Sequence, residues 1–359
     1  MNTALTNAPM GVPIGVQWVG IGAYVPETTI TNDQLTQLVD TSDEWIATRT
    51  GIRERHVVSG DETVAGLAIA AANDALASAG MTGEDIDFIL VATSTPDTMY
   101  PGIACQVQHA IGATRAAGFD MALACSGFVF GLVTAQQFIR TGMYRTVLVI
   151  GADIHSRYVD WTDRNTCIIF GDGAGAAIVQ AVPGDQNAFF ANDLHSDGSK
   201  GFELTLHTNA PNCPLVAPRT EHRPFVNMNG KEMFKFAVSV VPETMTTTLV
   251  KAGLTWDAID HVVLHQANIR IMQAMTERLG IPAAKMIANI DRIGNTSAAS
   301  IPIALNEAVL SGRVKPGEKL MLCGFGAGVA WGSTLCEWTA VDKRLAQGQT
   351  AQQATPVGV

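Results

Sequence analysis

Two stretches of this 359-residue chain repeat at one spacing, and this repeat restricts the folds that the chain can adopt. Residues 79–91 (AGMTGEDIDFILV) resemble residues 252–264 (AGLTWDAIDHVVL), and each passes from a glycine turn into an apolar strand. A strand that ends in glycine, residues 146–151 (TVLVIG), resembles residues 319–324 (KLMLCG). Both pairs are 173 residues apart, and a shared spacing argues against two accidental matches. The repeat therefore predicts an α/β protein with a duplicated βαβ half.

The halves are expected at residues 14–184 and 185–342. Residues 185–230 contain four prolines, which predicts an irregular excursion at the start of the second half. The ends of the chain, residues 1–13 and 343–359, are rich in small and polar residues and are expected to be disordered tails.

A cysteine lies where a predicted strand meets a predicted helix. Residues 118–124 are short and largely apolar, which predicts a buried strand, and residues 126–140 carry no charge before Arg140, which predicts a core helix. Cys125 at the first turn would face free N–H groups and the positive end of the helix dipole, which favour a thiolate. The dipole supplies only about 0.3–1 kcal/mol, less than one pKa unit, so a base or cation elsewhere must complete the activation. The alternative is that Cys125 is a small buried hydrophobe.

Composition excludes several classes of protein. The six cysteines form no CxxC pair and no zinc-like spacing, so we expect free thiols in a reducing compartment. The first lysine or arginine is Arg49, which predicts neither a signal peptide nor an anchor and therefore a cytoplasmic protein. Apolar runs stay shorter than the roughly 18 residues that a membrane helix needs, so we expect no membrane partner. The net charge of −10 argues against nucleic acid as a partner.

Two further patterns suggest binding or close packing. Thr41 to Glu44 predict a helix start, and Trp45 and Arg49 then share one helix face, where they can stack on a flat heterocycle and reach phosphates. The alternative is that Trp45 only packs the helix onto the body while Arg49 is solvated. The glycine clusters at 171–175 and 324–328 lack the GxGxxG spacing and a following Lys-Ser/Thr, so they are expected to permit close backbone approach.

Three motifs, ACSG at 124–127, HQAN at 265–268 and GNTSAAS at 294–300, together resemble the Cys-His-Asn triad of β-ketoacyl-acyl carrier protein synthase III. This family contains the initiating condensing enzymes of type II fatty acid synthesis and has the thiolase fold. The resemblance runs from about residue 15 to 340. It includes TSDEWIATRTGIRER at 41–55, TDR at 162–164, FGDGAGA at 170–176, HSDG at 195–198 and GFGAGVAWGS at 324–333. It implies a thiolase-like α/β fold in which two duplicated βαβαβ halves form an αβαβα layered sandwich.

The resemblance also implies a decarboxylative condensation of an acyl-CoA primer with malonyl-acyl carrier protein. Cys125 would accept the acyl group, and His265 and Asn295 would hydrogen-bond the malonyl thioester oxygen. The amides of Cys125 and Ala327 would bind the oxyanion, with Ala327 at a place where many relatives have glycine. Coenzyme A thioester is then a substrate, and we expect no cofactor and no metal. Taken alone, His265 is more simply a strand-end histidine with a structural partner.

By the same resemblance, further residues would bind the two substrates. Trp45, Arg49 and Arg164 match positions that hold the nucleotide of coenzyme A, Asn268 matches a pantetheine contact, and Thr41 and Phe234 line the entrance. Lys235, Arg270 and Arg278 would form a cationic patch for the acidic carrier protein. Glu277 stands where the family often has another cation, and the alternative is three solvated surface charges.

The resemblance implies a homodimer, because residues 91–106 lie near a twofold interface in the thiolase fold. Tyr100 would then close the acyl channel of the partner subunit and favour primers of roughly two to four carbons, such as acetyl-CoA. The alternative is an exposed loop tyrosine that never meets substrate.

Two other functions remain open at this stage. One is a secondary-metabolism enzyme of the same fold that uses a different acyl acceptor. The other is a catalytically silent scaffold that binds carrier protein, which an intact Cys125, His265 and Asn295 argue against.

Overall fold

The structure, a computed structural model, describes residues 14–208, 212–220 and 222–346. The strands are β1 Ile14–Tyr24, β2 Thr29–Thr31, β3 Glu54–His56, β4 Phe88–Ala92, β5 Ala117–Met121, β6 Thr146–Ile154, β7 Asp172–Pro183, β8 Phe189–Ser196, β9 Leu204–Leu206, β10 Val226–Met228, β11 His261–Leu264, β12 Met286–Ile287, β13 Lys319–Gly326 and β14 Ala330–Glu337. The helices are α1 Asn32–Leu35, α2 Asp43–Thr50, α3 Val64–Ala79, α4 Ile103–Ala110, α5 Gly127–Arg140, α6 Gly230–Ala252, α7 Ile269–Arg278, α8 Ile290–Ile293, α9 Ser300–Leu310 and α10 Lys343–Ala346.

Two five-stranded sheets have the same topology, as the repeat predicts. The first has the order β1-β7-β6-β4-β5 and the second the matching order β8-β14-β13-β11-β12. β4 is parallel to β5 and β6, and β11 is parallel to β12 and β13. β7 and β14 each run antiparallel to both of their neighbours. The predicted duplication into two halves is therefore confirmed, and the break between the sheets falls between Pro183 and Phe189.

The layers follow from where the apolar faces are buried. One core cluster joins both sheets to α5 and α9, which places these two helices in the middle layer. A second cluster packs α3 and α4 on the outer face of the first sheet, and a third packs α6 and α7 on the outer face of the second. A helix that is apolar on nearly all sides, like α5, is stable only in such a middle layer. The expected αβαβα sandwich is confirmed.

The long outer helices end at matched positions of the repeat. Gly80 terminates α3 at a φ of 63°, and Gly253 terminates α6 at a φ of 66°. This left-handed conformation stops a helix and costs glycine little, because glycine has no Cβ. The glycine turns that reveal the repeat in the sequence are thus helix caps that lead into β4 and β11.

The strand before the cysteine differs from the prediction. A buried strand over 118–124 is wrong, since β5 spans Ala117–Met121 and is partly exposed, with Phe119 43% accessible. β5 pairs with β4 on one side only and forms the edge of the first sheet. Burial of a strand depends on its place in the sheet, which its own sequence does not specify.

Two other boundaries also shift. The excursion at 185–230 is not irregular throughout, because it contains β8, the edge strand of the second sheet, and the two-stranded ribbon of β9 and β10. The expected tail begins too early, because 343–346 are helical and Arg344 is held by ion pairs of 2.5 Å to Asp74 and Asp342. Residues 1–13 and 347–359, also predicted to be disordered, lie outside the described residues. Among the described helices, none is long and apolar enough to cross a membrane.

Candidate active site

Cys125 lies in a short 3₁₀ turn, Ala124–Ser126, that leads into the middle-layer helix α5. The backbone of β13 closes over the residue: a Cβ built on Gly326 would lie 2.8 Å from the Cβ of Cys125. The second glycine cluster therefore permits close backbone approach, as predicted, and a side chain at Gly326 would displace the cysteine. Cys125 is 7% exposed and contacts elements of both halves.

The matching turn of the second half faces the cysteine. It is the 3₁₀ turn Ser297–Ala299, which leads into α9. The Cys125 thiol donates a hydrogen bond of 3.5 Å to the Ser297 hydroxyl. The GNTSAAS motif at 294–300 therefore lies opposite the cysteine turn.

Asn295 is held by the same loop. Its Oδ1 accepts a hydrogen bond of 2.9 Å from the Ser297 amide, and this assignment leaves the Nδ2 hydrogens available for another acceptor. Its backbone pairs with that of Phe170 and exchanges hydrogen bonds of 3.0 Å with Ile169 and Gly171. The FGDGAGA motif therefore positions Asn295 from the first half.

His265 follows β11 and is 2% exposed. Its Nδ1 lies 2.7 Å from the Ser300 hydroxyl, and the Gln266 amide donates to that same hydroxyl at 3.3 Å. Phe325 packs edge-on against the imidazole, with ring centroids 5.3 Å apart. Burial and, to a smaller extent, the nearby His155 lower the pKa of His265 to about 3, so the ring is neutral at pH 7.

The cysteine is also neutral. Burial raises the pKa of the Cys125 thiol to about 12, an effect that the Ser297 hydroxyl opposes and Asp153 increases. The Ser297 hydroxyl and a backbone hydrogen bond favour the thiolate, as expected of neighbouring groups, but in the free site burial outweighs them and the thiol stays protonated. The charged group that acts on the thiol is a carboxylate, which disfavours a second negative charge.

A cavity of about 590 Å³ opens onto Cys125. Its wall includes Met121, Phe170, Ala327 and Gly328, so Ala327 lies where the predicted oxyanion donor belongs. His265 and Asn295 are not among its described lining residues, although the backbone of Asn295 pairs with that of Phe170, which lines the cavity.

The predicted nucleotide contacts lie together on the surface. The guanidinium of Arg49 is 4.2 Å from the centre of the Trp45 ring, and that of Arg164 is 4.8 Å from it. Arg164 also donates a hydrogen bond of 2.8 Å to the carbonyl of Asp40. The predicted shared face of Trp45 and Arg49 is confirmed, and Arg164 joins it from a distant part of the sequence.

The other predicted contacts to coenzyme A have varied environments. Asn268 caps α7 through its Oδ1. Its Nδ2 donates a hydrogen bond of 2.9 Å to the Arg49 carbonyl, so Asn268 connects α7 to α2. The Oγ1 of Thr41 is buried without a hydrogen-bond partner, and the cap of α2 is Ser42 rather than Thr41. Phe234 is partly exposed on α6.

The predicted carrier-protein residues are exposed on the neighbouring helices α6 and α7. Lys235 forms an ion pair of 2.6 Å with Glu232, one turn away. Arg278 donates a hydrogen bond of 2.6 Å to the Val238 carbonyl, which joins α7 to α6. Arg270 follows the Asn268 cap and lies beside the residues that hold α2.

Tyr100 does not line the cavity of its own chain. It is 88% exposed, although its neighbours Thr98 and Met99 are on the cavity wall. A role for Tyr100 in primer length therefore requires a second subunit.

The sequence did not indicate four residues of the site. Ser297 and Ser300 lie within a recognised motif. The contact of Ser297 to Cys125 depends on the docking of the two halves, and the contact of Ser300 to His265 depends on the packing of α9 against β11 within the second half. His155 and Thr205 line the cavity, and their signal in the sequence is only a polar residue beside an apolar strand.

Comparisons with known proteins agree with this site. A family model described as 3-oxoacyl-[acyl-carrier-protein] synthase III matches residues 119–198, and the model of its C-terminal part matches residues 249–338. The chain is 51% identical over 331 residues to a β-ketoacyl-[acyl-carrier-protein] synthase III of Nostoc sp., covering 90% of this chain and 98% of the relative. It is 48% identical over 342 residues to the chloroplastic enzyme of that name from Arabidopsis thaliana, covering 92% and 84%.

Solved structures are similar as well. The crystal structure of 3-oxoacyl-[acyl-carrier-protein] synthase III from Aquifex aeolicus matches with a TM-score of 0.84 and 41% identity, covering 90% of this chain and all of that one. A priming β-ketosynthase of a polyketide biosynthetic pathway matches with a TM-score of 0.85 and 33% identity, covering 93% and 99%.

Proposed function

Since this chain belongs to the β-ketoacyl-[acyl-carrier-protein] synthase III family and catalyses the condensation that initiates fatty acid synthesis, we propose that Cys125 carries the acyl intermediate and that His265 and Asn295 bind the malonyl thioester. The observation that carries this assignment is the pair of facing turns at 124–126 and 297–299. One turn presents the thiol, which contacts Ser297 of the other turn; the Ser297 amide fixes the side chain of Asn295, and the Ser300 hydroxyl that follows this turn fixes the imidazole of His265.

The first half-reaction transfers the primer. Cys125 Sγ attacks the thioester carbon of acyl-CoA, the bond from that carbon to the coenzyme A sulfur breaks, and the thiol proton leaves with the coenzyme A thiol. The charge that develops on the carbonyl oxygen is stabilised by the amides of Cys125 and Ala327. A pKa near 12 means that the resting thiol keeps its proton until attack, so the rate of acylation rises with pH.

The second half-reaction forms the carbon–carbon bond. Malonyl-carrier protein loses CO₂, and the electron pair of the broken bond becomes an enolate of the remaining thioester. The enolate carbon attacks the acyl carbon, and the Cys125 sulfur leaves and regains a proton, giving 3-oxoacyl-carrier protein. His265 and Asn295 stabilise the enolate oxygen, and each such donor is worth about 10²–10³ in rate.

Hydrogen bonds set both side chains as donors. Asn295 Oδ1 is occupied by the Ser297 amide, so Nδ2 is the free end. Ser300 Oγ accepts from the Gln266 amide and has its own hydrogen to give to His265 Nδ1, which leaves the ring proton on Nε2. Because the pKa of His265 is about 3, it stabilises the enolate as a neutral donor and not as a cation.

The experiment separates the two half-reactions. His265→Ala and Asn295→Ala should still form an acyl-enzyme with acetyl-CoA by intact-mass spectrometry, while condensation with malonyl-carrier protein should fall about 10²–10³-fold. Cys125→Ser should give no acyl-enzyme. If either of the first two variants condenses at near the wild-type rate, the assignment of roles is wrong.

We also propose where the two substrates bind. The face of Trp45, Arg49 and Arg164 offers an aromatic surface and two guanidinium groups for the nucleotide of coenzyme A. Thr41, Phe234 and Asn268 border the route from this face toward Cys125. Lys235, Arg270 and Arg278 provide the exposed cations for the acidic carrier protein.

We propose further that the enzyme is a homodimer that forms through the edge of β5. This edge has one open side, and Phe119, Met99 and Tyr100 expose large apolar surface near it. Twofold pairing of β5 would bring Tyr100 to the cavity of the partner and shorten it, so primers of about two to four carbons are preferred. A monomer in light scattering at micromolar concentration would contradict this proposal.

The proposed location is the cytoplasm. The six cysteines are all free, and a reducing compartment keeps them so.

A further inference from the structure

The wall of the cavity contains a buried imidazole that the mechanism does not use. His155 follows β6, is 6% exposed and lines the same cavity as Cys125. Its ring stacks on Phe170, with centroids 4.9 Å apart and planes 13° from parallel. Its Nδ1 is buried without a hydrogen-bond partner. A buried polar atom without a hydrogen-bond partner is costly and calls for an explanation, such as a water, an ion or a ligand group that binds there.

A second unpaired group lies on the same wall. Thr205 belongs to β9, far from His155 in sequence, and its Oγ1 is also buried without a hydrogen-bond partner. Two residues from separate segments, each with a buried side-chain polar atom that lacks a hydrogen-bond partner, therefore line the cavity that opens onto Cys125.

The other residues of the cavity wall restrict the charge that the acyl chain of a primer can carry. The cavity is otherwise bordered by apolar residues and hydroxyls, and no lysine or arginine is among its described lining residues. The carboxylate on the wall, Asp120, accepts hydrogen bonds of 2.6 and 2.7 Å from the amides of Ile103 and Ala104. An anionic primer would meet this carboxylate without a cation to balance it, so a neutral polar atom fits better.

We propose that His155 and Thr205 form a polar subsite for a neutral hydroxyl or carbonyl oxygen on the primer, so that the enzyme accepts short hydroxyacyl- or oxoacyl-CoA thioesters. The imidazole and the threonine hydroxyl can each donate or accept, and either type of oxygen satisfies them. This inference rests on the proposed acylation of Cys125 and adds the class of primer.

The test compares two primers of nearly equal shape, 3-hydroxybutyryl-CoA and 3-methylbutyryl-CoA, which differ by a hydroxyl in place of a methyl group. Acylation of Cys125 is followed by intact mass with both primers in one reaction, which gives the ratio of their kcat/KM values. The wild-type enzyme should favour the hydroxyacyl primer. His155→Leu and Thr205→Val should each lower the ratio about 3- to 10-fold, the range expected for one lost hydrogen bond. His155→Gln should retain a higher ratio than His155→Leu, because its amide can still hydrogen-bond.

The control is His261→Leu. His261 also has a buried Nδ1 without a partner but is not on the cavity wall, so its loss should leave the ratio unchanged. The competition gives a ratio within each variant, so a general loss of activity does not distort it. If His155→Leu is unstable, Thr205→Val carries the test.

The outcomes are distinct. A wild-type enzyme that favours 3-methylbutyryl-CoA, or ratios that do not change in both cavity variants, overturns the subsite and leaves acylation of Cys125 intact. If neither primer nor acetyl-CoA acylates Cys125, the proposed function fails and the subsite fails with it.

Discussion

The two halves of the molecule share the backbone of their central turns but not the side chains that the reaction uses. Ala124 has a φ of 42° and Ser297, its counterpart in the repeat, has a φ of 51°. Both turns lead into a middle-layer helix. Yet the counterpart of Cys125 is Ala298, which has no reactive group. The duplication thus supplies the same geometry twice, and the chemistry is divided between the copies.

The residues without chemical roles also contribute to the site. A Cβ built on Gly127 would lie 2.6 Å from that of Ala92, the counterpart of His265, and one on Gly151 would lie 2.2 Å from the carbonyl oxygen of Ala298. Small residues at these places let the two turns approach closely enough for the Cys125–Ser297 contact. Ala92 and Ala298, the counterparts of His265 and Cys125, are therefore small residues whose role is close packing rather than chemistry.

The largest expected effect comes from moving the nucleophilic cysteine from the turn of the first half to the matching turn of the second half. Cys125→Ala combined with Ala298→Cys places a thiol on the equivalent turn with nearly the same backbone. Because the cavity opens onto Cys125 and not onto Ala298, and the proposed oxyanion donors are the amides of Cys125 and Ala327, acylation and with it condensation should fall about 10³-fold or more, as for Cys125→Ala alone. Single-turnover acylation by intact mass measures it. Recovery of activity in the double variant would mean that the two turns are chemically equivalent.

The pH dependence of the free energy of unfolding should reveal the buried imidazole of His265, whose counterpart in the first half, Ala92, does not titrate. The pKa of His265 is about 3 in the folded protein and near 6.5 when unfolded, so between these values the unfolded chain binds one more proton and folding weakens as pH falls. The loss from pH 7 to pH 5 is about 2 kcal/mol for this one group. His265→Ala should lose about that much less over the same interval in urea unfolding. An identical decline in both proteins would contradict a neutral buried His265.

Ser297→Ala tests the contact between the turns. Alanine already adopts this backbone at the matched residue Ala124, so the variant should fold. Loss of the hydroxyl raises the pKa of the Cys125 thiol further, because the serine stabilises the thiolate. Acylation at pH 7 should slow about 3- to 10-fold, as expected for one hydrogen bond, and it should be slower by the same factor at every pH well below the pKa of the thiol. Alkylation by iodoacetamide across pH measures it, and an unchanged profile would show that Ser297 has no electrostatic role.

The smallest expected effect is on the binding of malonyl-carrier protein to the exposed cations of α6 and α7. Arg270→Glu should raise KM for malonyl-carrier protein about 2- to 5-fold, because an exposed charge contributes little, and it should leave the rate of acylation by acetyl-CoA at its wild-type value. Lys315→Glu is the matched control, since Lys315 precedes β13 at the end remote from Gly326 and Cys125. Equal loss in both half-reactions for Arg270→Glu would reject the patch.

Much of the fold could be predicted because its signals are local. Glycine caps such as Gly80 and Gly253, the apolar helix after Cys125 and the constant spacing of the repeat are all visible in the sequence. The family motifs add the triad, and the structure brings the loops that carry it together.

The remainder depends on contacts between distant segments. The exposure of β5 follows from its place at a sheet edge, and the helix at 343–346 is anchored by the ion pair from Arg344 to Asp74 in the other half. The protonation states of Cys125 and His265 follow from burial between two docked halves. Burial on this scale is a property of the assembled layers, and a local pattern does not contain it.

The approach of Gly326 to Cys125 has a consequence for folding. The two residues are about 200 positions apart, so the thiol is enclosed only after both halves have formed and docked. While the chain is being synthesised, Cys125 is an ordinary accessible cysteine that oxidants and electrophiles can reach. The rate at which a small alkylating reagent loses access to Cys125 during refolding therefore reports the docking of the two halves, separately from the formation of each.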